Sequence, residues 1–155
     1  MYSFTTMTPH QQALLHMFHQ APVNKFFQHI TLRFELDQAV VELPILPEYM
    51  HAGGSLHGAL YMKLLDDAAY FSAALLESSR FLLTAGFALD FYRPVHGGVL
   101  TATGKVKGQE GKSILAASTL TDEDGNLVAR GHGRFVPGNG LLLETPLYIS
   151  GLPSN

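Results

Sequence analysis

The pattern of hydrophobic and polar positions divides the chain into helical and extended segments. Thr8-Pro9 is a typical helix start, with a hydroxyl cap and a proline at the first helical position, and it predicts a helix over 9–20. From residue 30 apolar and polar side chains alternate, which predicts a half-buried strand and, after a turn at 37–38, a second strand over 39–46. The apolar positions of the first strand are Ile30, Leu32, Phe34 and Leu36.

A long helix is predicted after a flexible, glycine-containing segment over 51–58. Ser55 is the expected N-cap, and the helix of about 20 residues is expected to end near 78–79. Small and apolar residues cover most of its circumference, and a helix that is apolar nearly all round is buried nearly all round. These positions are Leu60, Leu64, Leu65, Ala68, Ala69, Ser72, Ala73 and Leu76.

Four antiparallel strands are predicted after the long helix. They are expected at 82–92, 99–107, 113–121 and 127–136. Asp124-Gly125 between two alternating runs is a strong hairpin signal. The order helix, two strands, long helix, four strands predicts an α+β domain in which one antiparallel sheet wraps a single helix. A second copy of the chain would cover the face that this arrangement leaves open.

The composition of the chain suggests self-association and excludes several classes of function. The chain has 155 residues, the size of one domain, of which 46% are hydrophobic and 15% charged. This composition excludes disorder and suggests that apolar surface is buried against another copy. The net charge of −3 and the lack of a basic stripe argue against a nucleic-acid partner. We place no element in the tail 137–155.

The absence of cysteine excludes a disulfide scaffold, a thiolate zinc site and a cysteine nucleophile, and it is compatible with a cytoplasmic protein. Residues 1–6 have neither a basic nor an apolar region, so we expect no signal peptide. The longest apolar stretch, 56–76, is interrupted by charged residues, so we expect no membrane span.

His57-Gly58 stands where the long helix begins. Free backbone N–H groups and the positive end of the helix dipole meet at such a position and favour a developing oxyanion. The alternative is structural: Gly58 allows close packing, and His57 caps the helix or packs in the core. The pattern alone leaves both interpretations open.

Asp66 is the second candidate, because a carboxylate within an apolar helix is costly to bury unless it is bonded or functional. The alternative is a solvated stripe formed with Lys63, Asp67 and Tyr70, since Lys63 and Asp67 are an i,i+4 pair. A solvated stripe accounts for the position of Asp67 better than for that of Asp66. His57 and Asp66 lie roughly 13 Å apart along one helix and on nearly opposite sides. A site that uses both residues therefore needs two chains.

The remaining histidines are weaker candidates for a functional site. The eight histidines show no metal spacing such as His-x-x-x-His with a flanking acid on one helix, so we predict no metal. His96 lies in an ordinary turn at 96–98, and His132 lies between two glycines that suggest a close backbone approach. We find no nucleophile elbow and no phosphate loop.

Several motifs occur in the order and at the spacing of one family over about 24–136, and the chain resembles the hotdog-fold acyl-CoA thioesterases of the PaaI-like, phenylacetate-pathway branch. The motifs are His57-Gly58 opening the central helix, Asp66 nine residues after the histidine, Thr84 eighteen residues after the acid, Phe91-Tyr92-Arg93-Pro94 at the end of the next strand, and Asp124-Gly125 in the last hairpin.

The resemblance implies a single hotdog domain over 1–155 that hydrolyses acyl-CoA without a metal or redox cofactor, at a composite site in a homodimer or a dimer of dimers. Asp66 would be base or nucleophile, the Gly58 N–H of the other subunit would polarise the carbonyl, Thr84 would orient the water or the carboxylate, and His57 would shape the helix start. His51 stands where the family often has an amide donor, and an imidazole still has an N–H to donate.

Candidate substrate contacts are Phe71, Phe87 and Tyr92 for the acyl group and Arg93 for the CoA phosphates. Two other functions stay open. One is a non-catalytic acyl-CoA-binding or interaction module. The other is a hotdog hydratase or dehydratase, although the pattern expected there has the aspartate five residues before the histidine, the reverse of the order here.

Overall fold

The computed structural model describes residues 6–154. Within that range three helices and six strands follow one another, joined by loops and by 3₁₀ turns such as Pro22–Phe26. The helices are α1, Pro9–Gln20, α2, Gly58–Ala74, and α3, Pro146–Ile149. The strands are β1, Thr31–Glu35, β2, Gln38–Pro44, β3, Arg80–Phe91, β4, Val99–Glu110, β5, Ser113–Thr121, and β6, Leu127–Leu141.

The six strands form one antiparallel sheet in the order β1-β2-β4-β5-β6-β3, and α2 packs across its inner face. The predicted α+β arrangement, with one long helix wrapped by one sheet, is therefore confirmed. The prediction that α2 is buried nearly all round is also confirmed, because Ala59 is the one exposed residue of this helix.

α2 is in close contact with the sheet at Gly104, in the middle of β4. A Cβ atom at this position would lie 2.0 Å from the carbonyl oxygen of Ala68 on α2. On the neighbouring strand the Ser118 hydroxyl donates a 2.7 Å hydrogen bond to the Leu65 carbonyl oxygen. Helix backbone therefore rests directly on strand backbone, without a layer of side chains between them.

We expect Gly104→Ala to lower the free energy of unfolding by about 3 kcal/mol, because the added methyl group forces helix and sheet apart. Gly108→Ala on the same strand is the matched control, since a Cβ atom there meets nothing within 4 Å. Urea denaturation of both variants measures the difference. Equal midpoints would show that α2 does not rest on Gly104.

Three local expectations are wrong. Ser55 is not the N-cap of α2, because His57 caps the helix with its own side chain. The helix ends at Ala74 rather than near 78–79, and Leu76 beyond it is 66% exposed. Leu36 does not face the core: it is 97% exposed at φ +54°, because it lies in the tight turn that joins β1 to β2.

The tail that the sequence left unplaced belongs to the fold. β6 continues to Leu141, and α3 then packs against α1. The buried Tyr148 of α3 has its hydroxyl 2.7 Å from His10 Nδ1 on α1. His10 Nε2 in turn lies 2.8 Å from the Ala74 carbonyl oxygen at the end of α2. One histidine thus connects α1, α2 and the tail.

β3 forms one edge of the sheet. It has twelve residues and pairs with β6 along one side, and no described strand pairs with its other side. Leu83, Phe91 and Tyr92, on and just after this strand, are each half exposed or more. A long edge with exposed apolar side chains is a ready surface for pairing with another chain.

Candidate active site

Asp66 borders a cavity of about 290 Å³, which we call the Asp66 pocket. It lies between α1, the turn after α1, the middle of α2 and the first half of β3, and most of its wall is apolar. The residues that line it are Met17, Phe18, Ala21, Val23, Asn24, Lys63, Asp66, Asp67, Tyr70, Phe71, Phe81, Leu82, Leu83 and Thr84. A carboxylate at an apolar pocket is the usual composition of a small-molecule site.

Thr84 holds the Asp66 carboxylate. The hydroxyl of Thr84 on β3 donates a hydrogen bond of 3.1 Å to Asp66 Oδ1 on α2. Burial raises the pKa of the Asp66 carboxyl above its usual value, and the Thr84 hydrogen bond and the Lys63 charge limit the rise. Asp66 is therefore a positioned carboxylate whose proton affinity has been raised toward the range of a general base.

Thr84→Val is expected to raise the pKa of Asp66 further, because it removes a hydrogen bond that favours the charged form. A titration of the Asp66 carboxyl carbon by NMR measures the change. Thr119→Val, which makes the same substitution on β5 away from the pocket, is the control. A titration curve that does not move in Thr84→Val would contradict the hydrogen bond.

Lys63 and Asp67 do not form a solvated stripe. They form an i,i+4 ion pair in which each side chain is only 17% exposed. The Lys63 ammonium group also lies 5.6 Å from the ring centroid of Phe18 and 5.4 Å from that of Phe27. Burial raises the pKa of Asp67 to about 6, against the opposing effect of Lys63. Asp67 is held in the ion pair with Lys63. Of the two adjacent carboxylates, Asp66 is therefore the candidate for contact with a substrate.

A second cavity, of about 390 Å³, lies at the start of α2, and we call it the Gly58 cleft. It is lined by His51, Ser55, Leu56, Gly58, Tyr61, Phe91, Tyr92, Arg93 and Pro94. His57 Nδ1 accepts a 3.0 Å hydrogen bond from the Ala59 N–H, so the helix start is capped. The Gly58 N–H has no hydrogen-bond partner within residues 6–154. The cleft therefore contains a free backbone donor at the positive end of a helix dipole.

His51 is held within its own loop. Its Nδ1 accepts a 2.9 Å hydrogen bond from the Gly53 N–H, so in the neutral ring the proton lies on Nε2. Nε2 lies 2.7 Å from the Ser55 hydroxyl and donates to it. This direction excludes His51 as the base for a Ser55 nucleophile. The Ser55 hydroxyl accepts from His51 and keeps its own proton, so it is the hydrogen-bond donor that His51 and Ser55 together present to a ligand in the cleft.

The predicted site residues thus fall into two groups within one chain. Asp66, Thr84 and Phe71 line the Asp66 pocket. Gly58, His51, Tyr92 and Arg93 line the Gly58 cleft, with His57 capping the helix beside it. Phe87 lines neither cavity, because its ring lies against Gly131 and Gly133 of β6, where added Cβ atoms would approach it to 2.6 Å.

Sequence reasoning missed several lining residues. Tyr61 and Phe91 contact each other in the Gly58 cleft, with ring centroids 5.1 Å apart. The signal for Tyr61 was its position three residues after Gly58, on the same face of the helix. Asn24 in the Asp66 pocket had no signal, because its placement depends on how the turn after α1 packs against α2.

No group of three or more His, Asp and Glu side chains converges as metal ligands among residues 6–154. Over the same range no helix combines the length and the apolar character that crossing a membrane requires.

Comparisons with known proteins found a family model and a curated relative that match this chain. Residues 53–129 match the family model of the thioesterase superfamily. An inferred esterase of Saccharolobus solfataricus is 29% identical over 109 residues, which cover 70% of this chain and 78% of that protein. The family model and this relative are both of the esterase and thioesterase type.

Solved structures show the same fold at low identity. The PaaI protein of the E. coli phenylacetic acid degradation operon superposes with a TM-score of 0.74 at 22% identity, covering 86% of this chain and 96% of that one. A thioesterase of Haemophilus influenzae superposes with a TM-score of 0.70 at 17% identity, covering 79% and 86%. The chain has the hotdog fold, and residues 53–129 are similar to the family model of the thioesterase superfamily.

Proposed function

We propose that this protein is a thioesterase that hydrolyses acyl-CoA to a free acid and CoA, at a site that two copies of the chain build together. The observation that carries the proposal is Asp66, a half-buried carboxylate held by Thr84 at an apolar pocket. The lack of cysteine is compatible with a cytoplasmic location for this activity.

The proposed reaction needs a group that delivers water and a group that stabilises negative charge. Ionised Asp66 either takes a proton from the attacking water or attacks the thioester carbonyl carbon itself, after which water hydrolyses the anhydride. The Gly58 N–H donates to the carbonyl oxygen as it becomes negative. The C–S bond breaks, the acid retains the oxygen of water, and the CoA thiolate takes up a proton. These steps require neither a metal nor a redox cofactor.

Distance along α2 is the reason for two chains. Gly58 and Asp66 are eight residues apart, which is about 12 Å along the helix axis. An oxyanion donor must lie about 3 Å from the carbonyl oxygen, and the attacking group must be equally close to the carbon. The Gly58 and Asp66 of one chain therefore do not reach the same thioester.

The free edge of β3 offers a way to bring the two groups together. Asp66 accepts a hydrogen bond from Thr84 in the first half of this strand, and Gly58 lies beside Phe91, the last residue of the strand. In an antiparallel two-fold pair, residue i of one chain faces residue j of the other, and j faces i. Pairing of two β3 edges about Phe87–Ala88 would therefore set the Asp66 pocket of one chain against the partner's Gly58 cleft.

The same pairing would cover the exposed apolar side chains of the edge and complete a site with distinct regions. Phe71 and the rest of the Asp66 pocket would hold the acyl group. Arg93 in the Gly58 cleft would be available to a CoA phosphate, for which a guanidinium is a suitable partner. A dimer of dimers would be compatible with this arrangement.

A hydrolysis screen tests the proposal. Native protein is incubated with short, long and aryl acyl-CoAs, and released CoA is measured with a thiol reagent. We expect turnover of at least one class and its loss in Asp66→Asn. Tight acyl-CoA binding without turnover would instead indicate a binding module. Hydration of crotonyl-CoA without hydrolysis would indicate a hydratase.

A further inference from the structure

We infer that the Ser55 hydroxyl is a second hydrogen-bond donor to the thioester carbonyl oxygen, beside the Gly58 N–H, and that His51 is a positioning residue that orients this hydroxyl. The inference deepens the proposed function and rests on it for the identity of the ligand as a thioester. It differs from the expectation that the resemblance raises, in which the residue at position 51 itself donates to the substrate.

Both ring nitrogens of His51 are engaged within its own loop. Nδ1 accepts the 2.9 Å hydrogen bond from the Gly53 N–H, and Nε2 donates the 2.7 Å hydrogen bond to Ser55 Oγ. A neutral imidazole has a single N–H to donate. Because Ser55 Oγ already accepts that hydrogen, His51 has none left for a carbonyl oxygen of a ligand.

The Ser55 hydroxyl still has its own hydrogen to donate. Its oxygen accepts from His51, and its O–H has no acceptor among residues 6–154. Ser55 is partly exposed and borders the same cleft as Gly58, three residues further along the chain, so both donors are open to a ligand in that cleft. The hydrogen bond from His51 also makes the Ser55 hydroxyl a better donor, because successive hydrogen bonds in a chain polarise one another.

The loop holds the Ser55 hydroxyl in place before a ligand arrives. The His51 N–H donates a 2.9 Å hydrogen bond to the Ser55 carbonyl oxygen, and the Gly54 N–H donates one of 2.9 Å to the His51 carbonyl oxygen. Gly53 lies so close to the His51 ring that a Cβ atom there would approach ring atom Cε1 to 2.8 Å. Donors that are fixed in advance stabilise a developing negative charge without the cost of reorganisation.

The chemistry of thioester hydrolysis gives two donors a common acceptor. As the attacking oxygen bonds to the carbonyl carbon, the C=O π electrons move onto the carbonyl oxygen, which becomes an anion. The Gly58 N–H and the Ser55 O–H each donate a hydrogen bond to this anion, and Ser55 keeps its proton throughout. When the C–S bond breaks, the electron pair returns to form the C=O bond of the product, and both hydrogen bonds weaken.

Steady-state kinetics of Ser55 variants test the donor. We expect Ser55→Ala to lower kcat by about 10²-fold with little change in KM, because the lost hydrogen bond is strongest in the transition state. Ser55→Thr keeps a hydroxyl and should retain most of the activity. Ser113→Ala makes the same deletion at the start of β5, outside the cleft, and is the control. An unchanged kcat in Ser55→Ala, or a loss confined to KM, would overturn the inference.

A double-mutant cycle tests the role of His51. His51→Ala alone should lower kcat, because it releases the Ser55 hydroxyl from its orientation, and His51→Gln, which keeps an N–H donor, should recover part of the loss. In the Ser55→Ala background His51→Ala should have little further effect on kcat, since His51 acts through Ser55. Losses that multiply in the double variant would show that His51 acts on the substrate independently of Ser55, which contradicts the inference.

An infrared measurement separates this inference from the proposed function. Butyryl- and benzoyl-CoA labelled with ¹³C at the thioester carbonyl are bound to Asp66→Asn, and the C=O stretching frequency is recorded. A donor to the carbonyl oxygen lowers this frequency, so adding Ser55→Ala should raise it, whereas adding Ser113→Ala should not. That result would support the inference even if the native protein hydrolysed no thioester. Native turnover together with a frequency that Ser55→Ala leaves unchanged would refute the inference and leave the proposed function intact.

Discussion

Asp66→Asn is expected to lower kcat for thioester hydrolysis by about 10²- to 10⁴-fold, the usual contribution of a positioned acid–base group. Asparagine has nearly the same shape, and its side-chain oxygen still accepts the Thr84 hydrogen bond, so the pocket should keep its geometry. What is lost is the ability to hold a proton or to attack carbon. The fold should not suffer, because burial already opposes the charged form of Asp66.

Asp67→Asn is the matched control for this prediction. It makes the same change at the adjacent residue, in the same pocket, but at the carboxylate that is bonded to Lys63. We expect a much smaller effect on kcat, with some loss of stability because Lys63 loses its partner. Native activity should also fall as the pH drops through the raised pKa of Asp66, since the ionised form is the active one. Undiminished hydrolysis by Asp66→Asn would remove this residue from the mechanism.

Mixing two inactive variants should restore about a quarter of the native activity. Gly58→Pro removes the backbone N–H at the first helical position, where proline is well tolerated, and it should cost about 10²- to 10³-fold in kcat. His57 already has the extended backbone, φ −63° and ψ 135°, that a following proline requires. Gly58→Ala keeps the N–H and adds the same Cβ atom, 3.4 Å from the Phe91 ring, so it is the control.

The restored fraction follows from symmetry. If the Asp66 of one chain acts with the partner's Gly58, a mixed dimer of Gly58→Pro and Asp66→Asn has one intact site and one doubly defective site. Random pairing of equal amounts makes half of the dimers mixed, which gives about a quarter of native activity. The two chains are co-expressed with different affinity tags, and purification through both tags isolates the mixed dimers, which should have about half of native activity. A mixed dimer no more active than the separate variants would place both groups in one chain.

Local patterns fixed the elements and much of the candidate site. The spacing of His57-Gly58 and Asp66 on one helix was enough to predict their separation, and the resemblance added Thr84, whose hydrogen bond to Asp66 the structure contains. At Leu36 the alternation continues into a turn residue, and a period of two does not mark where strand pairing stops. The pattern favours Ser55 over His57 as the N-cap because serine is usually the preferred N-cap residue.

Other features depend on contacts distant in sequence. Asn24 enters the Asp66 pocket because the turn after α1 packs beside α2, and no short-range signal encodes that packing. Tyr148 joins the core through His10, 138 positions earlier in the chain. The ring proton of His51 is fixed by the Gly53 N–H, a bond that requires the loop conformation and not only its composition.

The close contact of α2 with Gly104 determines which side of the Asp66 pocket is able to adapt. The Ala68 carbonyl group lies directly over the strand, and the Ser118 hydroxyl donates a hydrogen bond to the Leu65 carbonyl oxygen one turn earlier in the helix. These two contacts oppose sliding or tilting of α2 on the sheet. Asp66 and Gly58 are carried by this helix and keep their spacing whatever is bound. We then expect any change in the size of the bound group to be taken up by the other walls of the pocket, which are α1, the turn after α1 and the first half of β3. Variation in substrate range among engineered forms should therefore come from these three segments, with Asp66 and Gly58 left in place.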